Sequence, residues 1–157
     1  MQCDVQTYSS NCIGAIDGKH IALQAPPHSG SVYYNYNFFY SIVLMTLVDA
    51  RHRFVMVDIG ANGRACDADV FARSAMAAAP ENNTVNIPPP RPLPGRVNNV
   101  PFVIVGDDAF GLKPHLMKPF PGRESRDFER IHNYRLSRAR RVSENAFGIL
   151  EEIFYFR

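Results

Sequence analysis

The stretch "GAIDGKH", residues 14–20, places a carboxylate, Asp17, between an apolar approach and a Gly-Lys-His step. In its wider setting, "CIGAIDGKHIAL" at 12–23, it reads as an apolar run, a polar break and a second apolar run. That pattern predicts a strand carrying Asp17 at or near its end, or continuing past it as a bent strand. Asp before Gly is equally the chemistry of a turn. The choice depends on whether other acids further along the chain are placed to join Asp17.

Working outward, "APPHSGS" at 25–31 is a loop by composition. "FFYSIVLMTLVDA" at 38–50 is β-branched and aromatic enough for a buried strand. "ARHR" then predicts a hairpin turn, and "FVMVDIGA" at 54–61 the returning strand. After an "NGR" turn, "DADVFARSAMAAA" at 67–79 has apolar residues near helical spacing, with Asp67 as N-cap. Residues 80–101 hold seven of the twelve prolines and read as an irregular surface loop within one domain. "FVIVGDDAF" at 102–110 predicts a strand buried on both faces and ending at Gly106. "GLKPHLMKPFPG" at 111–122 reads as a Pro-punctuated connection. Residues 125–157, with no Pro and no Gly except Gly148, read as one or two helices. Strands running into helices in this order make an α/β layered domain, whose ligand sites gather at the carboxyl ends of strands.

A chain of 157 residues suffices for one domain with one core, and 46% hydrophobic with 20% charged residues is the balance of a soluble globular protein. The net charge of +2 does not by itself announce a nucleic-acid binder, so such a role requires local clustering. Cys3, Cys12 and Cys66 are an odd number without metal-knuckle spacing, which points to reduced thiols of the cytosol or nucleus. The longest apolar run, at 38–48, is too short to span a bilayer, and no signal peptide is visible, so no membrane role is expected. Without a secretory signal, "NNT" at 82–84 reads as an unused glycosylation match.

Two predicted strands end in acids, Asp17 and Asp107. Side by side in one sheet they would repel unless one is protonated or a cation lies between them. Oxygen-only ligation suits Mg²⁺ or Mn²⁺. Two such ions about 4 Å apart can hold the attacking and leaving oxygens of a phosphoryl displacement. Glu144, in the last helical stretch, is the best candidate for a third acid. Each element also has a plainer reading. "IDG" and "VGDD" are common turn chemistry, and Glu144 can pair with Arg140 or Arg141 on a helix surface. A helical wheel puts Ala139, Val142, Ala146, Ile149 and Ile153 on one stripe and Glu144 nearly opposite. Spacing alone therefore favours a solvated glutamate over a three-acid metal site.

Taken together, "CIGAIDGKHI", "VDIGANGRACDADVF", "GDDAFGLKPHLMKPFPG" and "IHNYRLSRARRVSENAFGIL" closely resemble the Harbinger-type transposase-derived nucleases of the DDE endonuclease superfamily, across roughly residues 11–150. The resemblance implies an RNase H-like mixed sheet flanked by helices over 11–157, with residues 1–10 unassigned. It implies a divalent-metal-dependent DNA endonuclease, with Mg²⁺ or Mn²⁺ held by Asp17, Asp107 and Glu144 as a catalytic triad and Asp17 as the bridge. In-line attack by water on phosphorus would leave a 3′-hydroxyl. The 36 residues between Asp107 and Glu144 resemble the family's short second spacing. Asp67 matches a further family acid, and Asp108 ranks below Asp107. Lys19 and His20 are candidate phosphate contacts, against a solvent-exposed or structural reading. Arg135, Arg138, Arg140 and Arg141 form the dense basic cluster, a candidate DNA backbone contact against a solvated helix face.

Relatives usually carry an N-terminal DNA-binding region and continue past "AFG" through a basic stretch. Here the resemblance begins near Asn11, and Glu151 and Glu152 stand where relatives tend to be basic. The sequence-level expectation is truncation at both ends, exposing Phe147, Ile153, Phe154 and Phe156. The competing reading is a catalytically inert remnant serving as a DNA- or protein-interaction module. A weaker third reading is a hydrolase of small phosphate esters, for which no P-loop or comparable pocket signature is present. The resemblance further implies a Myb-like DNA-binding partner that supplies targeting and nuclear entry. The expected location is the nucleus, or the cytoplasm without that partner.

Overall fold

The structure is a computed structural model that describes residues 11–80, 82, 87–122 and 126–154. Seven strands and three helices follow in chain order: β1 (Cys12–Ala22), β2 (Ser41–Val48), β3 (Phe54–Asn62), α1 (Asp67–Arg73), α2 (Ala75–Ala78), β4 (Arg91–Pro92), β5 (Asn99–Val100), β6 (Val103–Val105), β7 (Leu116–Met117) and α3 (Asp127–Phe154). Five strands form one sheet in the order β3-β2-β1-β6-β7. The pairs β3–β2 and β2–β1 are antiparallel, while β1–β6 and β6–β7 are parallel. This mixed sheet with flanking helices is the RNase H-like arrangement.

Side-chain alternation along β1 and β2 builds a core on each face. Ile16, Val43, Met45 and Leu47 pack with Val70, Phe71 and Met76 of α1 and α2 and with Phe110. Ala15, Val48 and Val105 pack on the other face against Leu136, Ala139, Val142 and Ala146 of α3. β2 is covered on both faces and reads as a continuous apolar run. Ala139, Val142 and Ala146 are buried as the helical stripe predicts, but Ile149 and Ile153 are exposed. Phe147 is also buried, against Phe54 at 6.1 Å between ring centroids, so it is not among the exposed aromatics. Ile153 and Phe154 are exposed, and Phe156 lies outside the described residues.

Several expectations need correction. Asp17 is not at a strand end: β2 pairs with β1 from Ala15 through Ala22, with Asp17 opposite Thr46. The strand that ends is β6, whose pairing with β1 stops at Ala15–Val105. The strand predicted from 38 starts at Ser41. Phe38 has φ of 67°, and the Asn35 side-chain carbonyl accepts from the N–H groups of Asn37 and Phe39, closing a turn. The helix over 67–79 breaks at Ser74, whose extended backbone separates α1 from α2. Cys66, not Asp67, is its N-cap. The Pro-rich segment contains the short β4–β5 ribbon, and Asn11 fastens it by donating to the carbonyls of Arg91 and Val100. The Pro-punctuated connection contains β7. The last segment is one helix of 28 residues. The "NNT" match falls largely outside the described residues. Cys12 and Cys66 are free, and burial pushes the Cys12 thiol up to about 11. Among the described residues, no helix is long and apolar enough to cross a membrane.

Candidate active site

Two residues past the last β1–β6 pair, on each strand, come Asp17 and Asp107. Parallel pairing thus carries both acids toward one point at the carboxyl end of β6. The turn that follows β6 is pinned from below: Phe110 is fully buried and meets Phe71 edge-on at 5.6 Å. Within that turn Asp107 Oδ1 accepts from the Ala109 N–H at 3.0 Å. Asp108 is exposed in the same turn.

Asp17 faces α3. Ser143 Oγ donates to Asp17 Oδ2 at 3.1 Å and lies 2.8 Å from the Arg140 carbonyl. The Gly18 N–H donates to Asp17 Oδ1 at 3.0 Å. Asp67 arrives from the opposite face of the sheet. Its carboxylate lies over Gly18, where an added Cβ would come within 2.6 Å of the Asp67 Cγ. A side chain at 18 would therefore displace the Asp67 carboxylate. Burial pushes the Asp17 carboxyl above its ordinary range and the Asp107 charge adds to this, while Arg140, Ser143 and the Gly18 N–H act in the other direction. Burial, then the charge of Asp107, raises Asp67 as well.

Arg140 supplies the cation. Its Nη2 is 3.8 Å from Asp107 Oδ2, a long contact between two half-buried groups. Arg140 Nε is buried without a hydrogen-bond partner, and so is Thr46 Oγ1, directly cross-strand from Asp17. Unpaired buried polar atoms beside crowded carboxylates mark an arrangement not satisfied by the chain's own groups.

Glu144 stands apart. It is exposed, one residue beyond Ser143, and the charges acting on Asp17 are Arg140 and Asp107. Among the described residues, no three acids, histidines or cysteines converge closely enough to hold an ion. Lys19 and His20 point to opposite faces of β1. Lys19 Nζ is 2.5 Å from Glu151 Oε1, and His20 Nδ1 is 2.9 Å from Ser41 Oγ. The basic cluster divides. Arg140 turns inward to the acids, whereas Arg135 and Arg141 are exposed and Arg138 lies over Tyr134, donating to its hydroxyl at 3.2 Å. Sequence reasoning missed Ser143 and Thr46. Their signal was faint: hydroxyls at positions where the helix stripe and the strand run are otherwise apolar.

The architecture is an RNase H-like mixed sheet that carries acids on β1, α1 and the turn after β6. The chain matches the DDE superfamily endonucleases over residues 16–156 and belongs to that family. It is 30% identical over 144 residues to Protein ALP1-like of Arabidopsis thaliana, which covers 90% of this chain and 35% of that protein. The chain thus spans 35% of the length of this relative. No solved structure matches.

Proposed function

We propose that this chain is the nuclease domain of a Harbinger-type, transposase-derived endonuclease that cleaves DNA phosphodiester bonds with a divalent metal. The observation that carries the reading is the approach of Asp17 and Asp107 from neighbouring parallel strands, with Asp67 lying over Gly18 on the opposite face and also within reach of the Asp107 charge. The donors are the hard oxygens that Mg²⁺ or Mn²⁺ takes, and Asp17 and Asp67 are raised by burial and by the charge of Asp107, so a cation relieves what their own surroundings do not. Asp17 and Asp107 are the principal ligands in this reading, with Glu144 the third and Asp67 in support. When bound, the ion would supply charge neutralisation at phosphorus and a water of lowered pKa. Ser143 and the Gly18 N–H hold the Asp17 carboxylate in one orientation. Arg140 balances the acids. Arg135, Arg138 and Arg141 track the DNA backbone. A Myb-like partner would supply targeting and entry to the nucleus.

A second reading has its own support. With Arg140 beside Asp107 and Glu144 in solvent, the chain is arranged as an inert transposase remnant that binds DNA or protein without cutting. Nicking of supercoiled plasmid by the purified chain separates the two. Nicking with Mn²⁺ or Mg²⁺ that disappears with chelator and in Glu144→Gln establishes the nuclease. Intact plasmid, with a folded and metal-binding protein, favours the remnant or a subunit that cuts only with its DNA-binding partner.

A further inference from the structure

Beyond Ala15, β1 has β2 on one side and no strand partner on the other, because β6 stops at Val105. That free edge opens into a cavity of about 390 Å³, lined by β1 from Gly18 to Ala22 and by Tyr36, Asn37, Phe39 and Glu151. The volume falls among small-ligand clefts, roughly 300–1,000 Å³. One side of the lining is aromatic. The His20 ring meets Tyr36 edge-on at 5.3 Å and Phe39 at 6.4 Å. Tyr36 is 76% exposed and offers an uncovered ring.

The cavity carries no net charge. Lys19 and Glu151 neutralise one another, and burial lowers the pKa of His20, keeping it neutral at pH 7. Ser41 Oγ is fully buried, accepts from Asn35 Nδ2 at 2.9 Å and lies 2.9 Å from His20 Nδ1. That contact occupies Nδ1 in either tautomer and leaves Nε2 as the ring nitrogen His20 offers to a ligand. Aromatic rings, the polar Asn37, a neutral His20 and a paired Glu151 suit the face and edge groups of a heterocyclic base. Asp17 lies three residues back on the same strand, roughly 10 Å away, on the face from which Lys19 lines the cavity and opposite to that of His20.

We propose that this cavity receives an unpaired nucleobase of the DNA strand held at Asp17, stacked on Tyr36 and hydrogen-bonded by His20. The proposal rests on the nuclease reading above and adds that the substrate is single-stranded or locally unpaired beside the scissile phosphate. Base–aromatic stacking needs no particular sequence, because every base has a π-face.

The test uses the full chain with chelator present and an oligonucleotide carrying one 2-aminopurine, offered as a single strand or within a duplex. The expected result is single-strand binding at least about tenfold tighter than duplex binding, with quenched 2-aminopurine fluorescence. Tyr36→Ala weakens single-strand binding about tenfold and loses the quench, whereas Tyr36→Phe keeps both. Wild type that prefers duplex or leaves the fluorescence unchanged overturns the proposal, as does a Tyr36→Ala variant that matches wild type. Plasmid nicking with metal, run in parallel, keeps the two readings apart. Nicking without quenching overturns the base cavity alone. Quenching without nicking supports the cavity and removes the nuclease reading.

Discussion

Asp17 is the residue on which the site turns. Its carboxyl is raised in the folded chain, chiefly by burial and also by Asp107. A carboxyl raised on folding favours the folded state below its ordinary value of 3.8, and that contribution is lost as pH climbs through the raised value. Without metal, Asp17→Asn is therefore expected to melt higher than wild type at pH 7, with the difference closing below about pH 3.8. Thermal melts at the two pH values measure it, and a variant less stable at pH 7 would show that Asp17 is better satisfied than its surroundings indicate. Asp17→Asn and Asp107→Asn are each expected to abolish Mg²⁺ or Mn²⁺ binding while the fold survives. Calorimetric titration reads this directly, and equal binding by all three proteins would remove the metal site. The residue types were legible in sequence because acids following apolar strands are conspicuous. The inward turn of Arg140 and the bond from Ser143 were not, since both depend on the angle at which α3 crosses the sheet.

At the level of elements, the turn after β6 is positioned by what lies beneath it. Phe110 sits between α1 and the sheet, so truncating it leaves a cavity and frees the loop that carries Asp107. Phe110→Ala is expected to cost about 3–5 kcal/mol, read from urea unfolding. A cost below about 1 kcal/mol would mean that the loop is held by its own turn bonds. The long elements were readable from pattern: the hairpin of β2 and β3, the buried β6 and the Pro-free final helix. The short ones were not. β7 is two residues long, too brief for any periodicity, and exists because β6 offers an edge to pair with. The break at Ser74 is equally local. Its hydroxyl donates to the Phe71 carbonyl at 2.7 Å, ending α1 while the surrounding Ala-rich text favours helix.

At the level of the whole molecule, a net charge of +2 gives no general pull on DNA, so any affinity must come from how charge is distributed. α3 sorts its arginines. Arg140 is spent on the acids, while Arg135, Arg138 and Arg141 follow one another at intervals of three along the helix. The double variant Arg138→Gln, Arg141→Gln is expected to lower the slope of log affinity against log salt by about 2. Fluorescence anisotropy across a salt series measures the slope, and an unchanged value would move the DNA track off this helix.

β1 runs for eleven residues and β6 for three. The opening beside Asp17 is made by that inequality, in the way a doorway is made by a wall stopping short. Length thus carries meaning at one place in the chain and little at another. Added strand-forming residues after Val105 would zip along β1 and seal the opening without altering a single acid. The Pro-rich segment before β6 can grow or shrink at the surface and leave the opening as it is. Among related chains, variation in length should be scarce directly after β6 and plentiful across 80–101, a pattern an alignment would show without any experiment on activity.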